Sequence, residues 1–131
     1  MHRFAYLCLM IAGSAAHAQE RITPEEFLAI ANGKTLTFHD LDSKSLVGVE
    51  EYLSPELSVW REAGGDCVYG TITVETDQLC FFYDYEPAEK ACWWPFLRDE
   101  TLLVLSAQTG EIQEVVEISE EPLGCPMLPS A

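Results

Sequence analysis

From Thr35 onward the chain alternates short apolar runs with polar, turn-forming separators. The runs are Thr35 to Phe38, Leu46 to Leu53, Leu57 to Arg61, Cys67 to Val74, Leu79 to Tyr83, Cys92 to Leu97, Thr101 to Ser106 and Glu111 to Ile118. Between them lie Ser54-Pro55, Ala63-Gly64-Gly65-Asp66, Thr76-Asp77, Glu86-Pro87, Arg98-Asp99-Glu100 and Thr109-Gly110, residues that favour turns. Short strands at this spacing predict a mainly β fold, an antiparallel meander that forms a small barrel or sandwich. In Thr101 to Ser106 both alternating faces are apolar, which predicts a central strand. Between Ile112 and Ile118 the alternation breaks near Glu114, which predicts a bulge or an edge.

One segment ahead of these runs has a different period. Thr23-Pro24-Glu25-Glu26 is a helix start, with Thr23 as N-cap, Pro24 at the first helical position and Glu26 three residues after the cap. Phe27, Leu28, Ile30 and Ala31 form an apolar stripe, and Asn32-Gly33 supplies a left-handed stop. The predicted helix, about residues 23 to 32, is too short to be stable alone, so its stripe must pack on the strands. At the other end, "EEPLGCPMLPSA" has three prolines and no period; from about residue 119 the chain is expected to run as an extended tail held by Cys125.

The first 18 residues, "MHRFAYLCLMIAGSAAHA", have a basic start, a short apolar run and small residues ending in an A-x-A site. This is the pattern of a signal peptide cleaved after Ala18, leaving a single β domain over residues 19–131 in the periplasm or outside the cell. Cys8 lies within the apolar run after the bulky Leu7, not at its end after a small residue, so it is read as part of the leader rather than as a lipid-attachment site. No later segment approaches the roughly 20 apolar residues of a membrane-spanning helix. Seven basic residues less Arg3 leave 6 against 22 acidic ones, 6 − 22 = −16 over residues 19–131. Such a surface repels phosphate backbones, which argues against nucleic acid, and favours cationic partners.

Four cysteines follow the leader: Cys67, Cys80, Cys92 and Cys125. An even number in a small exported domain implies disulfides, and four allow three connectivities. Residues facing each other across a hairpin have the turn midway between them. Cys80 and Cys92 have their midpoint at residue 86, on Glu86-Pro87, whereas a Cys67–Cys80 bond would place the turn inside the strand-like run from Cys67 to Val74. The expected pairs are therefore Cys80 with Cys92 and Cys67 with Cys125. The 80 to 92 spacing lacks the C-x-x-C form of redox and zinc sites, and neither a metal nor a cofactor is expected.

Candidate chemistry is sparse. After the leader, His39 is the only histidine, in "FHDLDSK" beside Asp40 and Asp42. The pair lacks the glycine and distal glutamate of a calcium loop, so the segment is read as a solvated loop between the first two strands, offering at most weak calcium binding at Asp40 and Asp42. No G-x-S-x-G or related signature supports nucleophilic catalysis through His39, and no catalytic residue is assigned. The concentrated feature is aromatic: "DQLCFFYDYEPAEKACWWPF" places rings on both faces of one hairpin. Tyr83, Tyr85, Trp93 and Trp94 are the candidate ligand or partner contacts, as the rim of a barrel mouth or a docking surface; the competing reading is a central core hairpin.

Glu51-Tyr52-Leu53, Val59-Trp60, Gly65-Asp66-Cys67-Val68-Tyr69-Gly70, Cys80-Phe81-Phe82-Tyr83 and Cys92-Trp93 together form a spaced pattern over about residues 50 to 95. It resembles a group of small exported proteobacterial proteins of unknown function. The leading helix and Leu123 to Pro126 add weaker support, and Thr71 to Thr73 departs from the pattern where an aromatic is expected. The resemblance implies a shared β fold and export, and no activity. Taken together, the residues predict a non-enzymatic binding module without a cofactor. Its partner is expected to be a cationic protein such as a basic lysozyme; the alternative is an apolar small molecule held in a lipocalin-like barrel.

Overall fold

The computed structural model describes residues 19–84 and 90–126. Chain order is β1 (Gln19–Arg21), α1 (Pro24–Ala31), β2 (Thr35–Asp40), β3 (Leu46–Ser54), β4 (Leu57–Glu62), β5 (Cys67–Glu75), β6 (Gln78–Tyr83), β7 (Lys90–Arg98), β8 (Thr101–Ser106) and β9 (Ile112–Ser119). Strands β2 to β9 pair antiparallel, each with the next, and β9 returns to β2. The meander is thus a closed eight-stranded barrel rather than a sandwich. Closure leaves no open edge among these strands, which removes the usual liability of a β-sheet in solution.

The links are local and cheap. Asp99 and Glu100 both have positive φ, 48° and 68°, and join Arg98 to its partner Thr101 as the two central residues of a hairpin. After β2, the Asp40 carboxylate accepts hydrogen bonds from the backbone N–H groups of Asp42 and Ser43 and turns the chain into β3. Helix α1 begins where expected: the Glu26 N–H donates to Thr23 Oγ1 at 3.1 Å, and Pro24 occupies the first turn. It ends before Gly33, whose φ of +73° an L side chain adopts only with strain.

Phe27, Leu28 and Ala31 of α1 enter the same core as Leu36, Phe38, Tyr52, Ile72, Leu79, Phe81, Leu102, Val104 and Val115 from inside the barrel. The Phe27 and Tyr52 rings meet edge to face, 5.8 Å between centroids. One end of the barrel is therefore plugged by the helix.

Both disulfides have the expected pairing. Cys80 and Cys92 are directly opposed on β6 and β7 with Cα atoms 4.1 Å apart, on the outer face. The turn between them, expected at Glu86-Pro87, lies outside the described residues. Cys67–Cys125 ties the tail to β5. After β9 the tail runs without strand structure along the outside of the barrel: Thr35 Oγ1 donates to the Glu121 carbonyl, the Leu123 N–H to Glu51 Oε1, and Tyr69 Oη to the Pro126 carbonyl.

Three details differ from the sequence reading. Strand β1 was not expected: it pairs with residues 96–98 of β7, beyond the stretch of β7 that pairs with β6. His39 is part of β2, not of a loop, and pairs with Leu46 and Glu114. The break in β9 falls at Val116, which is skipped between the pairs Phe38–Val115 and Thr37–Glu117, and β9 is no edge because it pairs on both sides.

Candidate functional site

Strand alternation decides which side chains see the barrel interior. Opposed pairs share a face, so the register Gly48–Glu62, Glu50–Trp60 and Tyr52–Ser58 puts Glu50 and Trp60 on the same side as the buried Tyr52. Continuing around the barrel, Gly70–Tyr83, Ile72–Phe81, Leu79–Trp93 and Phe81–Ala91 bring Tyr83, Phe81, Trp93 and Ala91 inward.

These side chains do not fill the space. A cavity of about 250 Å³ remains, walled by Phe27, Phe38, Tyr52, Trp60, Phe81, Tyr83 and Trp93 together with aliphatic and polar residues. Its floor is Phe27 of the helix plug, and it reaches the exposed Glu62 beside Val47 and Glu111. Grooves of about 270 to 390 Å³ also lie elsewhere on the molecule, so what sets this space apart is not its size but its lining by inward-facing rings from several strands.

Two glycines set the wall. At Gly48 a Cβ would collide with the Trp60 ring and come within 2.7 Å of the Arg61 carbonyl oxygen. At Gly70 it would lie 2.9 Å from Cδ1 of Tyr83. Each glycine thus provides the recess in which one ring lies flat against the neighbouring strand. Tyr83 also stacks on Phe81, with centroids 5.9 Å apart and planes 5° from parallel.

Glu50 is the chemical centre of this wall. It is 2% exposed, lines the cavity and is held by neutral groups: Tyr83 Oη donates at 2.9 Å to each carboxylate oxygen, and Ser58 Oγ donates to Oε1 at 3.3 Å. The ion pairs at Arg21–Asp77, Lys34–Glu120, Lys44–Glu114 and Lys90–Glu75 do not involve it. Burial strips the carboxylate of water and pushes its pKa up to about 8, while the Tyr83 and Ser58 hydrogen bonds pull the other way. Nearby Tyr52 is raised well above the ordinary tyrosine range by burial and by Glu50. Glu62 and Glu111 add two more carboxyl groups, and Gln113 Nε2 donates to Glu111 Oε1 at 3.3 Å. Among the described lining residues there is no Lys, Arg or His.

The aromatic candidates divide. Tyr83 and Trp93 face the cavity. Trp94 faces outward, its Nε1–H donating to Asp77 Oδ1 at 3.2 Å and its ring lying 5.4 Å from the Arg21 guanidinium carbon. Tyr85 lies outside the described residues. Glu50, Trp60 and Glu62 join the site without having been expected there; the signal for Glu50 was the acid's position between Gly48 and Tyr52 at strand spacing.

Metal chemistry finds little support in the donor sets. Glu75, Cys80 and Cys92 bring ligand-type atoms close together, but the two sulfurs are bonded to each other and offer no thiolate. Asp40 spends its carboxylate on Asp42 and Ser43, and those bonds hold it below the usual carboxylate range. The two disulfides fit an oxidising, extracytoplasmic setting. Among the described residues no helix is long and apolar enough to cross a membrane. Comparison of the chain with protein-family models, curated proteins and solved structures finds no match, so its functional reading rests on the interior of the barrel itself.

Proposed function

We propose that the protein is an exported binding module that carries a small, largely apolar molecule inside its barrel. The observation that carries this reading is the cavity of about 250 Å³, ringed by aromatic side chains and reaching the surface at Glu62. Ligand sites are typically concave and mostly apolar, with a few convergent polar groups, and this interior has that composition. An apolar occupant would displace water from the aromatic lining, which favours binding in proportion to the apolar area covered. The barrel is stapled by two disulfides and plugged at one end, so little chain ordering opposes binding.

Native mass spectrometry of protein purified from its own host tests the proposal. An added non-covalent mass in a 1:1 ratio, lost on denaturation, is expected; a bare chain in every preparation would count against a carrier.

A second reading, capture of a cationic protein such as a basic lysozyme, is favoured by the 22 acidic residues of the chain. It predicts complexes with basic hydrolases that weaken steeply between low and high salt, whereas binding in the cavity predicts little salt dependence for a neutral ligand.

A further inference from the structure

Every charged side chain among the described residues lining the cavity is acidic: Glu50 in its wall, Glu62 and Glu111 toward the surface. Glu50 sits directly across from Trp60, and Tyr52, Phe38 and Tyr83 border the same space.

We infer that the cavity selects a cationic amphiphile, a molecule whose protonated amine meets the Glu50 carboxylate and whose apolar body lies against Trp60, Phe81 and Trp93. This rests on the reading of the cavity as a ligand site. To a neutral ligand the protonated Glu50 is only a hydrogen-bonding group, a role that a glutamine fills as well at every pH, whereas a cation draws on its ionised form. An anionic ligand would face three carboxyl groups and, among the described lining residues, no basic side chain. A cation gains twice: it supplies the charge partner that Tyr83 and Ser58 do not, and ring faces attract positive charge. Glu62 and Glu111 then raise the local concentration of cations at the entrance.

The empty site has a consequence for protons. With a pKa of about 8, Glu50 is mostly protonated at pH 7. An ammonium ligand must displace that proton, so about 0.9 proton leaves per ligand bound at pH 7, and affinity rises about tenfold from pH 7 to pH 9. The other titratable groups facing this space are Glu62, Glu111, Tyr83 and Tyr52, the last held well above the ordinary tyrosine range by burial and by Glu50.

The test is a titration of the oxidised domain with three probes of one shape, 2-phenylethylamine, 2-phenylethanol and phenylacetate, followed by calorimetry in buffers of different ionisation enthalpy and by tryptophan emission. The expected result is an order of preference amine, alcohol, acid, with the amine at least tenfold ahead of the alcohol at pH 8 and proton release at pH 7. In Glu50→Gln the amine and alcohol should bind within about twofold of each other. If the alcohol equals the amine in the native protein, or the amine's lead survives Glu50→Gln, the cationic preference is wrong while the carrier reading stands. If none of the three binds to folded protein, the carrier reading falls and takes the inference with it. Should Glu50→Gln not fold, the native protein still decides: amine affinity that is flat from pH 7 to pH 9, without proton release, overturns the inference.

Discussion

Replacing Glu50 by Gln isolates the energetic cost of the buried acid. In the folded barrel the carboxyl group is pushed up to about 8, against an ordinary value of 4.5, because it is 2% exposed and its donors among the described residues are the Tyr83 and Ser58 hydroxyls. Between those two pH values the folded chain keeps a proton that the unfolded chain has already released. The favourable contribution is therefore complete below pH 4.5, declines as pH rises, and is gone above pH 8. A shift of 8 − 4.5 = 3.5 units at 1.36 kcal/mol each is worth about 5 kcal/mol. Glutamine stays neutral throughout and can still accept from Tyr83 through its amide oxygen. Urea unfolding followed by tryptophan emission at pH 4.5, 6, 7 and 8.5 should show the variant gaining on the native protein by about 4 kcal/mol across the series. Groups such as Asp40 and Glu75, whose surface hydrogen bonds depress their pKa values, titrate alike in both proteins and cancel. Parallel stability profiles would refute the reasoning, since they would mean that Glu50 is solvated and ionises normally.

Tyr83→Phe removes the donor that lowers the Glu50 pKa, so the Glu50 carboxyl carbon should titrate above about 8 by NMR; an unchanged or lower midpoint would contradict the hydrogen-bond assignment. Gly48→Ala should destabilise by about 1 to 3 kcal/mol and shift Trp60 emission, because the Arg61 carbonyl 2.7 Å from the new methyl is backbone and cannot rotate away. Replacing both Cys67 and Cys125 by Ala should cost about 4 kcal/mol in denaturant unfolding, as expected for a loop spanning 58 residues, and should expose the tail from Glu120 to protease while β2 to β9 stay folded.

The strand plan was legible because it is written locally. Apolar runs bounded by turn residues marked β2 to β9, and Thr23-Pro24 marked the helix start, within a residue or two of their observed bounds. The disulfides followed from the same signal, since the hairpin midpoint at Glu86 fixed the Cys80–Cys92 register. Closure was less legible: the β9 to β2 pairing joins segments about 80 residues apart, and nothing local distinguishes a barrel from a sandwich. Strand β1 was invisible because Gln-Glu-Arg is polar and earns its pairing only where β7 outruns β6. The site was hidden for a sharper reason. Along Leu46–Ser54 the more apolar face is Val47, Val49 and Leu53, yet the barrel buries Gly48, Glu50 and Tyr52 instead. Alternation alone reads that strand inside out, because Gly48 is inward to make room for Trp60 and Glu50 is inward to line the cavity. A buried acid on the less apolar face is the kind of local inconsistency that a functional site leaves in a sequence.

The most direct test of the central claim is saturation binding of a neutral fluorescent probe, N-phenyl-1-naphthylamine, to the native protein and to Ala91→Trp, whose larger side chain would project from the cavity wall into the space. The account predicts saturable 1:1 enhancement of probe emission in the native protein and its loss in Ala91→Trp with the circular dichroism spectrum unchanged. No saturable binding, or equal binding by the two folded proteins, would contradict it.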